Sequence, residues 1–129
     1  MATILFIEDE PALQRALTHV LTESGFQTLS ATDGEAGLRI AKEQLPDLIL
    51  LDLILPKKDG FAVIRNLKED TATAHIPVIV LTNREGMADI ERITASGAAA
   101  YLVKANYQLD EVVEKIKEVL KRPSPNSFS

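Results

Sequence analysis

A chain of 129 residues that is 46% hydrophobic and contains no cysteine has room for one domain around one well-buried core, and it excludes disulfides and thiolate metal sites. No stretch approaches the roughly 20 consecutive apolar residues that cross a bilayer. A formal charge of −5 argues against non-specific nucleic-acid binding through the domain surface, which needs clustered Lys and Arg to release phosphate counterions.

Short apolar runs alternate with helix-length amphipathic segments. Thr3 to Ile7 reads as a first strand running into Glu8-Asp9. It begins within two residues of Met1, which leaves no room for a cleavable leader, so a cytoplasmic protein without membrane association is the expectation. Pro11 then opens a helix with the stripe Leu13, Ala16, Leu17, Val20 and Leu21, ending at Gly25. Phe26 to Ala31 is a weaker second strand. Thr32 and Glu35 have capping-box spacing before a helix with Leu38, Ala41 and Leu45 on one face, which Pro46 stops. The third strand, Leu48 to Leu51, runs into Asp52. After Pro56 and an Asp59-Gly60 turn, a helix turns Phe61, Ile64 and Leu67 inward. Ile76-Pro77 leads into the fourth strand, Val78 to Leu81, which ends on Thr82. Ile90 and Ile93 anchor a fourth helix stopped by Gly97, and Tyr101 to Val103 forms a fifth strand running into Lys104. Leu109, Val112, Val113, Ile116 and Leu120 mark a closing helix. Five strand-helix units thus fill residues 1–121, and the aperiodic 122–129 reads as a disordered tail or the start of a linker.

Apolar runs separated in this way are expected to be parallel strands buried on both faces, and parallel strands point their C-terminal ends the same way. Three carboxylates (Glu8, Asp9, Asp52), a hydroxyl (Thr82) and an ammonium (Lys104) would then gather in the crevice where open α/β sheets bind ligands. Such acids repel one another unless a cation sits among them, and an all-oxygen set favours Mg²⁺, which is held by one or two carboxylates and keeps positions open for phosphate oxygens. An Asp in such a site can attack a phosphoryl group and form an acyl phosphate. Three partners would cover the phosphoryl oxygens: the metal, the Lys104 ammonium, and the Thr82 hydroxyl with a neighbouring backbone N–H. His19 and His75 have no second ligand at metal spacing.

The span from Thr3 to Leu120 resembles a receiver domain of the two-component response regulators, of the chemotaxis-regulator type. The segments carrying the resemblance are Ile7 to Glu10, Pro46 to Pro56, Asp59-Gly60, Ile76 to Thr82 and Gly97 to Lys104. The resemblance implies a doubly wound, flavodoxin-like (βα)5 fold, with a five-stranded parallel sheet of order 2-1-3-4-5 and helices on both faces. It implies that Asp52 is the phosphoacceptor, and that Glu8, Asp9, Asp52 and the Ile54 backbone carbonyl hold Mg²⁺. Thr82 and Tyr101 become the switch pair, the Asn83 backbone N–H joins Thr82 on the phosphoryl group, and Lys104 is the phosphate counter-ion. The implied donor is a sensor histidine kinase or a histidine phosphotransfer protein. The implied output is a changed face on the fourth helix, fifth strand and fifth helix, including Met87, Ile90, Glu91 and Lys115, which selects a downstream protein and can pair two copies. Such a protein is a signalling phosphoacceptor that catalyses only its own phosphotransfer and dephosphorylation.

Four positions, in three departures, differ from the family pattern. Ala105 follows Lys104 where proline is usual, and a trans bond is expected because a non-proline cis bond costs about 2.5 to 4 kcal/mol. Ile54 and Arg84 stand where water access to the acyl phosphate is tuned, and an apolar Ile54 should lengthen the phosphoryl lifetime. Gly37 sits inside a helix where Ala is usual, at about 1 kcal/mol in propensity. A degenerate receiver acting as a phosphorylation-independent interaction module is the alternative. An aspartyl-nucleophile phosphatase would need a second acid where Ile54 stands, and a flavodoxin-like electron carrier would need Ser, Thr and Gly where Glu8-Asp9-Glu10 stand.

Overall fold

A computed structural model describes residues 2–53, 55, 59–82, 87–103 and 108–122, with side chains for all of these but 87–90. Five strands alternate with five helices: β1 (Thr3–Ile7), α1 (Pro11–Glu23), β2 (Gln27–Ala31), α2 (Gly34–Gln44), β3 (Leu48–Asp52), α3 (Gly60–Glu69), β4 (Val78–Thr82), α4 (Met87–Ala95), β5 (Ala100–Val103) and α5 (Leu109–Leu120). The sheet is parallel, in the order β2-β1-β3-β4-β5. The doubly wound fold expected from the sequence is therefore the fold observed.

The strand sequences explain the layering. In β3 and β4 all five residues are buried, as required of strands covered on both faces. Their side chains alternate between two cores. Leu5, Ile7, Ile49, Leu51, Val78 and Val80 meet Leu38 and Ala41 of α2, Ile64 and Leu67 of α3 and Ile93 of α4. Ile4, Phe6, Leu48, Leu50, Ile79 and Leu81 meet Leu17 and Leu21 of α1 and Val112, Ile116 and Val119 of α5. Each fully buried aliphatic side chain contributes about 1.5 to 3 kcal/mol, so the two layers fix the register that brings the strand ends level.

Several local expectations are corrected. The cap of α2 is Asp33, whose side chain accepts from the Ala36 N–H at 2.8 Å, and not Thr32, because the helix begins one residue later than the capping-box spacing suggests. Leu45, expected on the inward face, is 51% exposed, because α2 ends there on a left-handed residue with φ 47°. Asp59-Gly60 is a helix start and not a free turn: Asp59 caps α3 by accepting from the Phe61 N–H at 2.8 Å.

Two glycines mark close approaches. A Cβ at Gly37 would lie 2.4 Å from Ile7 Cδ1, so the helix-interior glycine lets α2 settle onto the sheet. At Gly60 a Cβ would lie 2.6 Å from the Leu53 Cα, so the first turn of α3 rests directly on the chain leaving β3.

Candidate functional site

The strand ends converge as the sequence pattern requires. Glu8 and Asp9 follow the last residue of β1, and Asp52 is the last residue of β3, the strand paired beside it through Ile7 and Leu51. Carboxylate oxygens of Glu8, Asp9 and Asp52 all lie within 4.8 Å of one another. Glu8 is 0% and Asp52 6% exposed, whereas Asp9 is open to solvent. Thr82 ends β4, one residue beyond the Leu81 that pairs with Asp52, and is 1% exposed. Tyr101 lies on the edge strand β5 opposite Val80 and is exposed.

The backbone around these side chains is tightly held. The Leu53 N–H donates to Leu81 O at 3.3 Å, and the Gly60 N–H donates to Leu53 O at 3.0 Å, clamping the chain after Asp52 between β4 and α3. The Glu8 N–H donates to Ala31 O at 2.9 Å. Gln14 of α1, 9% exposed, reaches in beneath: its Nε2 donates toward Phe6 O at 3.1 Å, Glu8 O at 3.0 Å and Ala31 O at 3.0 Å. The sequence reading missed Gln14. The signal was there, since Gln14, Leu17 and Leu21 share one helical face and Gln14 is the only polar member of it.

Three ionised carboxylates this close repel by about 1 kcal/mol per pair even at the dielectric of water, and by more where two of them are buried. The donor set, all oxygen and all anionic, fits a hard divalent cation. Ile54, Asn83, Arg84 and Lys104, the Lys104-Ala105 bond, and the side chains of Met87 and Ile90 lie outside the described residues. His19 faces Glu23 along α1 at 3.8 Å, well away from the acids in sequence and on the exposed surface.

The sequence matches the family model of the response regulator receiver domain over residues 4–117. The chain belongs to that family. Among receiver-containing proteins, it is 38% identical over 122 residues to the DNA-binding dual master transcriptional regulator RpaA of Synechocystis, covering 95% of this chain and 50% of that protein. Among solved structures, the signal receiver domain of a signal transduction histidine kinase from Syntrophus aciditrophicus superposes with a TM-score of 0.86 at 32% identity, covering 98% of both chains. The receiver domain of the sensor histidine kinase PA1611 from Pseudomonas aeruginosa, with a TM-score of 0.85 and 27% identity over 94% of this chain and 98% of that one, holds a magnesium ion in its active-site cleft. This receiver domain spans about half the length of the curated relatives it matches. None of its described helices is long and apolar enough to cross a membrane.

Proposed function

We propose that this receiver domain accepts a phosphoryl group on Asp52 from the phosphohistidine of a sensor histidine kinase or a histidine phosphotransfer protein. The observation that carries the reading is the convergence of three carboxylates within 4.8 Å, with Asp52 enclosed but next to the solvent-facing Asp9. A carboxylate oxygen of Asp52 attacks the phosphorus as the P–N bond breaks. The bonding pair returns to the imidazole nitrogen, and an aspartyl phosphate is left on the protein.

Glu8, Asp9, Asp52 and the Ile54 carbonyl are the groups we assign to Mg²⁺, which supplies neutralisation of phosphoryl-oxygen charge when bound. Thr82, buried at the end of the neighbouring strand, is assigned with the Asn83 N–H to a second phosphoryl oxygen, and Lys104 to the third. Phosphorylation adds about −1.5 to −2 charge units at the strand ends. Thr82 moves toward that charge, and the outward Tyr101 turns into the space it leaves. The surface of α4, β5 and α5 then changes and selects a protein target or a second copy of the chain. An apolar Ile54, with Arg84 at the other modulating position, slows the water that would hydrolyse the ester. We take residues 1–121 as the switching unit, a phosphoacceptor whose only chemistry is on itself.

Incubation with acetyl phosphate and Mg²⁺, followed by intact mass measurement, should show one added phosphoryl group that is stable in acid and labile in base. Asp52→Asn should fold normally and gain nothing. An equal adduct in Asp52→Asn, or one formed equally well in excess chelator, would sink the assignment.

A further inference from the structure

We propose that the Gln14 side-chain amide is a positioning residue for the acidic pair, aiming the peptide between Glu8 and Asp9 so that both carboxylates present to one divalent ion. The inference rests on reading the three acids as a cation site. Asp52 is held from both sides, by β4 and by α3. Glu8 and Asp9 are held differently, because the β1–β3 pairing ends at Ile7. Past that point the Glu8 N–H bond to Ala31 and the Gln14 amide fix the backbone.

The carbonyl that Gln14 grips belongs to Glu8 and is therefore part of the peptide plane that leads into Asp9. Rotating that plane would swing the exposed Asp9 side chain away from Glu8 and Asp52. The same nitrogen also lies within bonding distance of Phe6 O and Ala31 O, so the plane is referenced to the C-terminal ends of strands β1 and β2 and not to a loop.

Chemistry explains why an amide fills this place. Three carbonyl oxygens around one point require a donor, so the nitrogen faces them and the oxygen is turned away. No donor among the described residues faces that oxygen, Gln14 Oε1, although it is buried. The side chain thus leaves a buried acceptor unsatisfied while the two hydrogens of its nitrogen are shared among the three carbonyls. A Lys or Arg could donate as well, yet it would bring a fixed positive charge beneath an anionic cluster and compete with the ion for it. Gln supplies the N–H groups without net charge.

The test uses the full chain. In wild-type protein followed by solution NMR, the Gln14 side-chain amide protons should exchange with solvent at least about tenfold more slowly than those of the exposed Gln27, Gln44 and Gln108, and their resonances should move on Mg²⁺ addition. Gln14→Met, close in shape but lacking the donor, should raise the Mg²⁺ dissociation constant measured by calorimetry about 10- to 100-fold. Phosphorylation by acetyl phosphate should fall at limiting Mg²⁺ and recover at saturating Mg²⁺. A role confined to packing would lower phosphorylation at every Mg²⁺ concentration, and that result, or unchanged Mg²⁺ affinity, overturns the proposal. Should Gln14→Met fail to fold, the wild-type exchange rates still decide, because a Gln14 amide exchanging as fast as the exposed ones overturns it. Wild-type protein that binds no Mg²⁺ fails at the earlier step, the reading of the acids as a cation site.

Discussion

At Gly37 one absent methyl group sets how closely α2 lies on the sheet. The sequence showed only a glycine in a helix and its propensity cost; the benefit became visible only when Ile7, thirty positions earlier, was found against it. A Cβ would meet the end of the Ile7 side chain, which is fully enclosed and has little room to rotate. Overpacking of this kind costs about 1 to 3 kcal/mol, against about 1 kcal/mol regained in helix propensity. Gly37→Ala is therefore expected to destabilise by about 1 kcal/mol net, read from urea unfolding. In an Ile7→Val background, which removes Cδ1 but keeps the two γ carbons at 2.9 and 3.2 Å from that Cβ, the cost should shrink without vanishing. Equal effects in both backgrounds would show that the contact does not set the cost. The acids were legible for the opposite reason: Glu8, Asp9 and Asp52 each interrupt or end an apolar run, and polar residues at such places stand out without knowledge of their neighbours.

Among the elements, strands and helices followed their hydrophobic period closely, since β3 and β4 are too apolar and too short to be anything else. Boundaries were less legible, because a cap depends on which residue is half inside the helix, and Thr32, Asp33 and Asp59 all have side chains able to cap. The end of α3 shows a further junction that no motif announces. Lys68 crosses from α3 to the turn before β4, donating to Ala74 O at 3.1 Å and, more weakly, to Ile76 O at 3.5 Å, while its stem lies along Gly97. Burial holds its ammonium below the ordinary lysine pKa of 10.5. A lysine depressed in the fold binds fewer protons there than in the unfolded chain, so the penalty is fully present below the folded pKa and fades as pH rises toward the unfolded value. Wild-type stability should therefore climb relative to Lys68→Met between neutral pH and about 10.5. Parallel pH profiles of the two proteins in chemical unfolding would refute this coupling. At neutral pH Lys68→Met should still be less stable than wild type by about 1 kcal/mol, from the lost bonds to the turn.

For the molecule as a whole, the site works against the fold that builds it. Two cores bring the strand ends level, and the result is to force three like charges together at one edge of the sheet. Asp9 is the member most open to solvent, so its removal tests this opposition with least disturbance to packing. Without divalent cations, Asp9→Asn should be more stable than wild type by on the order of 1 kcal/mol, because two close repulsions vanish. With Mg²⁺ the order should invert. Wild type gains about 2.7 kcal/mol when free Mg²⁺ exceeds its dissociation constant a hundredfold, and Asp9→Asn, lacking one anionic ligand, gains much less at the same concentration. Thermal unfolding of both proteins in chelator and across a Mg²⁺ series would display the crossing as two intersecting curves. Curves that never meet, with Asp9→Asn above wild type at every Mg²⁺ concentration, would mean that the acids do not share an ion and that their crowding has some other use.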